Sequence, residues 1–335
     1  MTYPYFTKGL AKAPSLLAEA IPSLPRSRAD STAAYIPHAD LSHAVNVALM
    51  LGMPLLLTGE PGTGKTQLAY VLAAELGCEV LRFDAKSSSQ ARDLFYTFDA
   101  LSAFKMKDAT DLRPHIRYQA LGQAILEAFA ADAVAGLLVP GAPHAGPRRS
   151  VVLIDEIDKA PRDFPNDLLN EIEHLYFRVP ELGNLATPGA DDAAQGVPPQ
   201  FRPIVVLTSN SEKGLPDPFL RRCVYFDIPF PTPDEMEAIV AGQIKGMKAG
   251  DPLTTDALDL FYALRSTVSL KKAPSTAELL NWLQVLRARG AQPEAPLRPQ
   301  AQLVDETLSV LVKSGDDRTR ARKFIAESWA TEPAA

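Results

Sequence analysis

Five short apolar runs mark the first two thirds of the chain: PLLLT (54–58), EVLRFD with its core at 80–84, VVLID (151–155), IVVLT (204–208) and VYFDI (224–228). Each has the length of a buried strand and is bounded by Pro, Gly or polar residues. Between them apolar residues recur at helical spacing. LSHAVNVALMLG opens at Asp40 or Ser42 as N-cap and closes at Gly52; Leu68, Ala69, Leu72 and Leu76 follow Lys65 and stop at Gly77; ALGQAILEAFA covers 120–130. Strands alternating with helices predict an α/β fold, a parallel five-stranded sheet flanked by helices on both faces. After VVLID, the stretch PRDFPNDLLNEIEHLYFRV puts Leu168, Leu169, Ile172 and Leu175 on one helical face and leads into a β-hairpin arm near Phe177 to Leu182.

Beyond Pro229 the pattern changes. Thr232, Pro233 and Glu235 spell a capping box with Pro at the first helical position, opening a helix to about Met247. Helical patterns continue at 255–268, 276–289, 301–313 and 317–329 with no strand among them. The expected organisation is an N-terminal extension (1–36), an αβα core (37–228) with insertions near 95–147 and 184–200, and a small all-helical domain (229–335). The extension is rich in Pro, Ala and Ser and reads as an arm or short helix carrying Leu10, Leu16, Leu17 and Ile21. The loops at 136–150 and 184–200 are longer than a plain connection requires.

Composition narrows the class without naming a function. With 22% charged and 46% hydrophobic residues over 335 positions, the chain reads as a globular protein of two domains. No apolar run approaches the roughly 20 residues of a spanning helix, and the N-terminus shows no signal-peptide pattern, so the expectation is a cytoplasmic protein with no membrane segment. A net charge of -6 argues against a nucleic-acid surface. Cys78 and Cys223 lie far apart beside apolar segments and read as core thiols. The histidines show no metal-ligand spacing.

The chemistry concentrates at GEPGTGKT. Gly59, Glu60, Pro61, Gly62, Thr63, Gly64, Lys65, Thr66 and the following Gln67 stand between a strand and a helix. Glycines at 59 and 64 let successive backbone N–H groups face phosphate oxygens, the helix start adds its positive dipole end, Lys65 supplies a charge for the outer phosphates and Thr66 a hydroxyl for Mg²⁺. VVLIDEIDKA ends an apolar strand in two acids. Asp155 is placed to accept the Mg²⁺ shell, Glu156 to polarise a water in line with the γ-phosphate. Asp158 and Lys159 read as a solvated helix start. Asn210, closing IVVLTSN, either holds that water or a phosphate oxygen, or simply forms a turn.

Together these motifs resemble the AAA+ ATPases and, among them, the MoxR family. GEPGTGKTQLA is similar to the family's Walker A, VVLIDEIDKA to its Walker B, LTSN to its sensor 1 and LPDPFLRRC (215–223) to its arginine-finger segment. The resemblance runs from about residue 38 to 289. It implies an AAA+ P-loop NTPase core followed by a helical lid domain, ATP and Mg²⁺ as cofactors, and a homo-oligomeric ring, typically a hexamer. It makes Arg222, with Arg221 as the next candidate, the finger that reaches a neighbour's γ-phosphate. ARDLFYTFD (91–99) and 120–130 fall where the family carries an insert facing the pore; Arg113, His115 and Arg117 nearby read as a polar face.

One departure stands out. At the helix start KKAPSTAELLNW, where the family carries its sensor 2 arginine, this chain has Ala277, with Lys271 and Lys272 as substitutes that lack a bidentate fork. The resemblance implies a chaperone-like ATPase that remodels or matures a client protein, including clients with von Willebrand A domains. The alternatives are a nucleic-acid motor or loader and a nucleotide-dependent scaffold with little hydrolysis.

Overall fold

The computed structural model describes residue 35 and residues 39–105, 111–192, 195–211 and 214–329. The N-terminal extension read from the sequence lies outside them, apart from Tyr35. The chain divides into two compact units, the first ending at Phe230 and the second beginning at Pro231.

In the first unit the elements follow as α1 (Ala39–Leu51), β1 (Leu55–Thr58), α2 (Lys65–Leu76), β2 (Glu79–Asp84), β3 (Tyr96–Phe98), α3 (Ala100–Lys105), β4 (Ile116–Tyr118) and α4 (Ala120–Glu127). Next come β5 (Ser150–Asp155), α5 (Phe164–Asp167), α6 (Leu169–His174), β6 (Arg178–Val179), β7 (Leu185–Ala186), β8 (Ile204–Thr208), α7 (Asp217–Leu220) and β9 (Val224–Asp227). Five strands form one sheet in the order β2-β5-β8-β1-β9. Every pairing in it is parallel.

The apolar runs explain why the sheet is covered on both faces. Alternate side chains divide between two cores: Leu56, Val152, Ile154, Val205 and Leu207 join the cluster around α4 and α5. Leu55, Leu57, Val151, Leu153 and Val206 join the cluster with Leu41 and Val45 of α1 and Leu68 and Leu72 of α2. Burial of each such side chain stabilises the fold by roughly 1.5–3 kcal/mol, so the three central strands, β5, β8 and β1, need no polar face. α2 closes as the sequence predicts: Gly77 adopts φ 65°, and its N–H caps Ala73 and Ala74 carbonyls.

Several local expectations are corrected. α1 begins at Ala39, so Asp40 lies in its first turn rather than capping it. β3 and β4 pair antiparallel, Tyr96 opposite Tyr118 and Phe98 opposite Ile116, a pairing that their short length hides in the sequence. His115 is buried there rather than on a polar face, and Arg113 is paired with Asp111 at 2.8 Å. The helix after β5 is broken at Leu168, which ends α5 and precedes α6. The hairpin arm exists: Arg178 and Val179 pair antiparallel with Ala186 and Leu185.

The second unit is all helical: α8 (Pro233–Gln243), α9 (Pro252–Ser266), α10 (Thr276–Ala288), α11 (Ala301–Thr307) and α12 (Gly315–Phe324). α8 stops four residues short of the expected Met247, and α11 gives way to a 3₁₀ turn at Leu308–Val310. The expected capping box at Thr232 forms, and Ser275 and Glu278 make a second. The Glu235 carboxylate accepts from Thr232 N at 2.8 Å and Glu278 from Ser275 N at 2.8 Å. Trp282, fully buried, donates from Nε1 to Thr307 Oγ1 at 2.8 Å. Arg298 is held by Asp256 and Asp259 and lies over the Trp329 ring. Among the described residues no helix is long and apolar enough to cross a membrane.

Candidate functional site

β1 delivers the chain into the glycine loop at the carboxyl edge of the sheet. Gly59, Gly62 and Gly64 take φ of 135°, 89° and 90°, values that side-chain-bearing residues rarely adopt. At Gly59 there is no room either, since a Cβ would come 2.5 Å from the Ile228 carbonyl oxygen. Glu60, Pro61 and Gly62 form the exposed tip, and Thr63 turns inward to bond the Glu60 carbonyl at 3.0 Å. Gly64 precedes α2 without offering a side-chain cap, and the uncapped start of a twelve-residue helix favours an anion. Gln67 sits half-buried in that turn.

Lys65 is buried, and its Nζ donates to the Gly59 and Glu60 carbonyls at 2.6 and 2.9 Å. Burial lowers its pKa, opposed by the charges of Asp158, Asp155, Asp227 and Glu156. The loop therefore carries a cation directed along its own backbone, within a ring of carboxylates. Tyr35 packs on the loop from the other side, where a Cβ on Gly64 would meet its ring at 2.9 Å.

The structure brings Thr66 and Asp155 together: the hydroxyl donates to Asp155 Oδ1 at 2.9 Å. Asp155 is 5% exposed and accepts from two further groups, Thr208 Oγ1 at 2.6 Å on the same oxygen and an Arg82 terminal nitrogen at 2.9 Å on Oδ2. Thr208 also accepts from the Glu156 backbone N–H at 2.9 Å, so one hydroxyl ties both acids to the end of β8. Glu156 itself has φ 57°, one of three non-glycine residues with positive φ among those described. Its half-exposed carboxylate pairs with Lys159.

Asn210 donates to Asp158 from its backbone and its amide, at 3.3 and 3.4 Å. Asp158 and Lys159 lie exposed in a 3₁₀ turn, the solvated helix start the sequence predicts, and there they engage Asn210 and Glu156. Oxygen donors of this kind, one hydroxyl and one carboxylate beside an uncapped helix start, suit a hard cation that retains waters and bridges phosphate. The residues present fit a Mg²⁺–nucleotide complex.

Arg221 and Arg222 are elsewhere. β1 and β9 run in register from Leu55 opposite Val224 to Thr58 opposite Asp227. Both arginines precede Val224, at the amino edge of the sheet, whereas the glycine loop leaves the carboxyl edge. Four strand residues at about 3.3 Å each separate the two edges. Arg222 donates to Glu173 at 2.9 Å and to the Pro218 carbonyl at 3.1 Å. With Arg221, Arg202 and Glu173 it lines a cavity of about 320 Å³. Arg202 donates to the Gly52 and Glu173 carbonyls at 3.1 and 2.9 Å, and burial lowers its pKa.

In the helical unit Ala277 stands in the first turn of α10. Lys271 is occupied by Asp316 at 2.8 Å, while its backbone N–H bonds Asp317. Sequence reasoning missed Arg82, Thr208 and Tyr35. Arg82 was legible as a charged residue inside an apolar strand, and Thr208 as the polar residue that ends IVVLT; Tyr35 carried no signal.

A family model described as "AAA domain (dynein-related subfamily)" matches residues 54–223. Among curated proteins the chain is similar to peroxisomal Lon protease homolog 2 of Spinacia oleracea, 28% identical over 189 residues that cover 56% of this chain and 17% of that protein. The Arabidopsis thaliana counterpart is 29% identical over 185 residues, 55% of this chain and 17% of its own length. The chain thus spans well under a quarter of the curated relatives it matches. Among solved structures, a Thermotoga maritima RuvB described as a Holliday junction branch migration motor aligns with 80% of this chain and 74% of its own, at 17% identity and a TM-score of 0.37.

Proposed function

The chain belongs to the AAA domain family, dynein-related subfamily, and from that premise we propose that it is a MoxR-type AAA+ ATPase working as a homo-oligomeric ring, hexameric in the usual case, to remodel or mature a client protein. A client with a von Willebrand A domain, and a cytoplasmic setting, belong to the same reading. The observation that carries it is the meeting of Thr66 and Asp155 at 2.9 Å beside an uncapped glycine loop, with Glu156 next in the chain.

On this reading the backbone from Gly59 to Thr66, with Gln67, cradles the phosphates of ATP, and Lys65 turns its ammonium from the loop carbonyls to the outer phosphates. Thr66 and Asp155 would hold Mg²⁺, which when bound neutralises charge between those phosphates. Glu156 leaves Lys159 to orient and deprotonate the attacking water, and Asn210 leaves Asp158 to fix the same water or a γ-phosphate oxygen. Arg222, on the sheet edge remote from its own loop, completes the site of a second copy, with Arg221 beside it; a guanidinium fork suits phosphate oxygens. The test is Glu156→Gln: nucleotide is retained, turnover falls by at least about a hundredfold, and an oligomer accumulates in ATP. Unchanged turnover would remove Glu156 from the mechanism. Measuring ATPase rate with and without DNA across salt separates a client-protein machine from a nucleic-acid motor.

A further inference from the structure

We propose that Arg82 sets how much divalent cation the site demands, by holding one Asp155 oxygen that a bound cation would draw on; this rests on reading Thr66 and Asp155 as the cation pair. Three donors meet that buried carboxylate, and they differ in kind. Thr66 and Thr208 are hydroxyls on Oδ1. A hydroxyl rotates and presents a lone pair, so it coexists with a metal ion or its waters. The Arg82 guanidinium on Oδ2, at 2.9 Å, has five donors, no acceptor and a permanent charge. It alone among the three opposes a second cation.

β2 also provides the place to which Arg82 retreats. Arg82 and Asp84 are alternate residues of the outermost strand, and Asp84 lies opposite Asp155 in the register. Arg82 Nε donates to Asp84 Oδ1 at 2.8 Å, and a terminal nitrogen approaches the same oxygen at 2.7 Å. The Arg82 side chain is 38% exposed and that of Asp84 58%. The guanidinium can therefore leave Asp155 and remain paired and hydrated, while Asp155, 7% exposed at its side chain, keeps the two hydroxyls on Oδ1 and frees Oδ2 for a cation. Arg82 acts as a positioning residue that competes with the metal.

The experiment uses the full chain and a fluorescent ATP analogue, with Mg²⁺ titrated to find half-saturation of nucleotide retention. Arg82→Gln lowers that Mg²⁺ midpoint about tenfold, the effect of removing one charge a few ångströms from the cation at intermediate dielectric, and leaves retention in excess EDTA within about twofold. Arg82→Lys, which keeps the charge, stays within about threefold of the parent. Asp84→Asn removes the retreat and raises the midpoint severalfold. A midpoint for Arg82→Gln that is unchanged or higher overturns the inference. If that variant does not fold, Asp84→Asn decides, and an unchanged midpoint there overturns it equally. Nucleotide retention by the parent that ignores Mg²⁺ would instead bring down the Thr66–Asp155 reading itself.

Discussion

Thr208 serves two acids through one hydroxyl. It donates to Asp155 Oδ1 at 2.6 Å and accepts from Glu156 N at 2.9 Å, buried to 1% exposure. Valine has the same shape and neither capacity, leaving a partly buried N–H without its acceptor, at a cost of about 1 kcal/mol. Thr208→Val should lower the thermal midpoint accordingly and reduce kcat at least about tenfold while nucleotide affinity moves less than about threefold. A kcat that survives the substitution would show that Glu156 holds its φ of 57° without this bond. The pair of acids was readable from VVLIDEIDKA because strand ends in parallel sheets present functional groups. The hydroxyl that braces them was not, since Thr208 and Glu156 lie 52 residues apart.

At the scale of elements, α4 and the loop that follows illustrate how a long insertion is pinned. Arg148 donates twice to Glu127, at 2.9 and 2.8 Å, joining the end of that loop to the last residue of α4. Burial works to raise the Glu127 pKa, but the Arg148 guanidinium and the Gln123 amide hold it below the ordinary carboxylate value. A folded-state pKa below the unfolded one gives stability that is present above the unfolded value and lost as pH falls through the folded one. Glu127→Gln should cost about 1–2 kcal/mol near pH 7, with the difference from the parent starting to shrink as pH falls below the ordinary glutamate value of about 4.3 and gone only below the lower folded-state pKa. Chemical denaturation at several pH values measures this, and a pH-independent difference would rule out the ion pair as its source. The sequence announced α4 through apolar periodicity; the β3–β4 pairing escaped because strands of three residues carry too little alternation to register.

For the whole molecule, the decisive geometry is that Arg222 and the glycine loop occupy opposite edges of one sheet. On the proposed reading a copy acting alone cannot use both. ATPase rate per chain should therefore rise with protein concentration, and Arg222→Ala should abolish turnover by roughly a hundredfold or more while leaving nucleotide affinity nearly intact. Mixing Arg222→Ala with Glu156→Gln should restore partial activity, because some interfaces then combine an intact Glu156 with an intact Arg222. No recovery on mixing, with both variants confirmed to co-assemble, would place the finger elsewhere.

By itself the sequence determined the sheet, the loop and the acids, because each rests on local order: apolar runs of strand length, glycines where positive φ is needed, and carboxylates directly after a buried strand. Tertiary structure alone decided what surrounds them. Arg82 on Asp155, Thr208 between two acids and Asn210 on Asp158 are contacts across 73, 53 and 52 positions of chain. Nothing in local periodicity encodes which distant side chain a carboxylate will meet; strand register does, and register exists only once the sheet has formed.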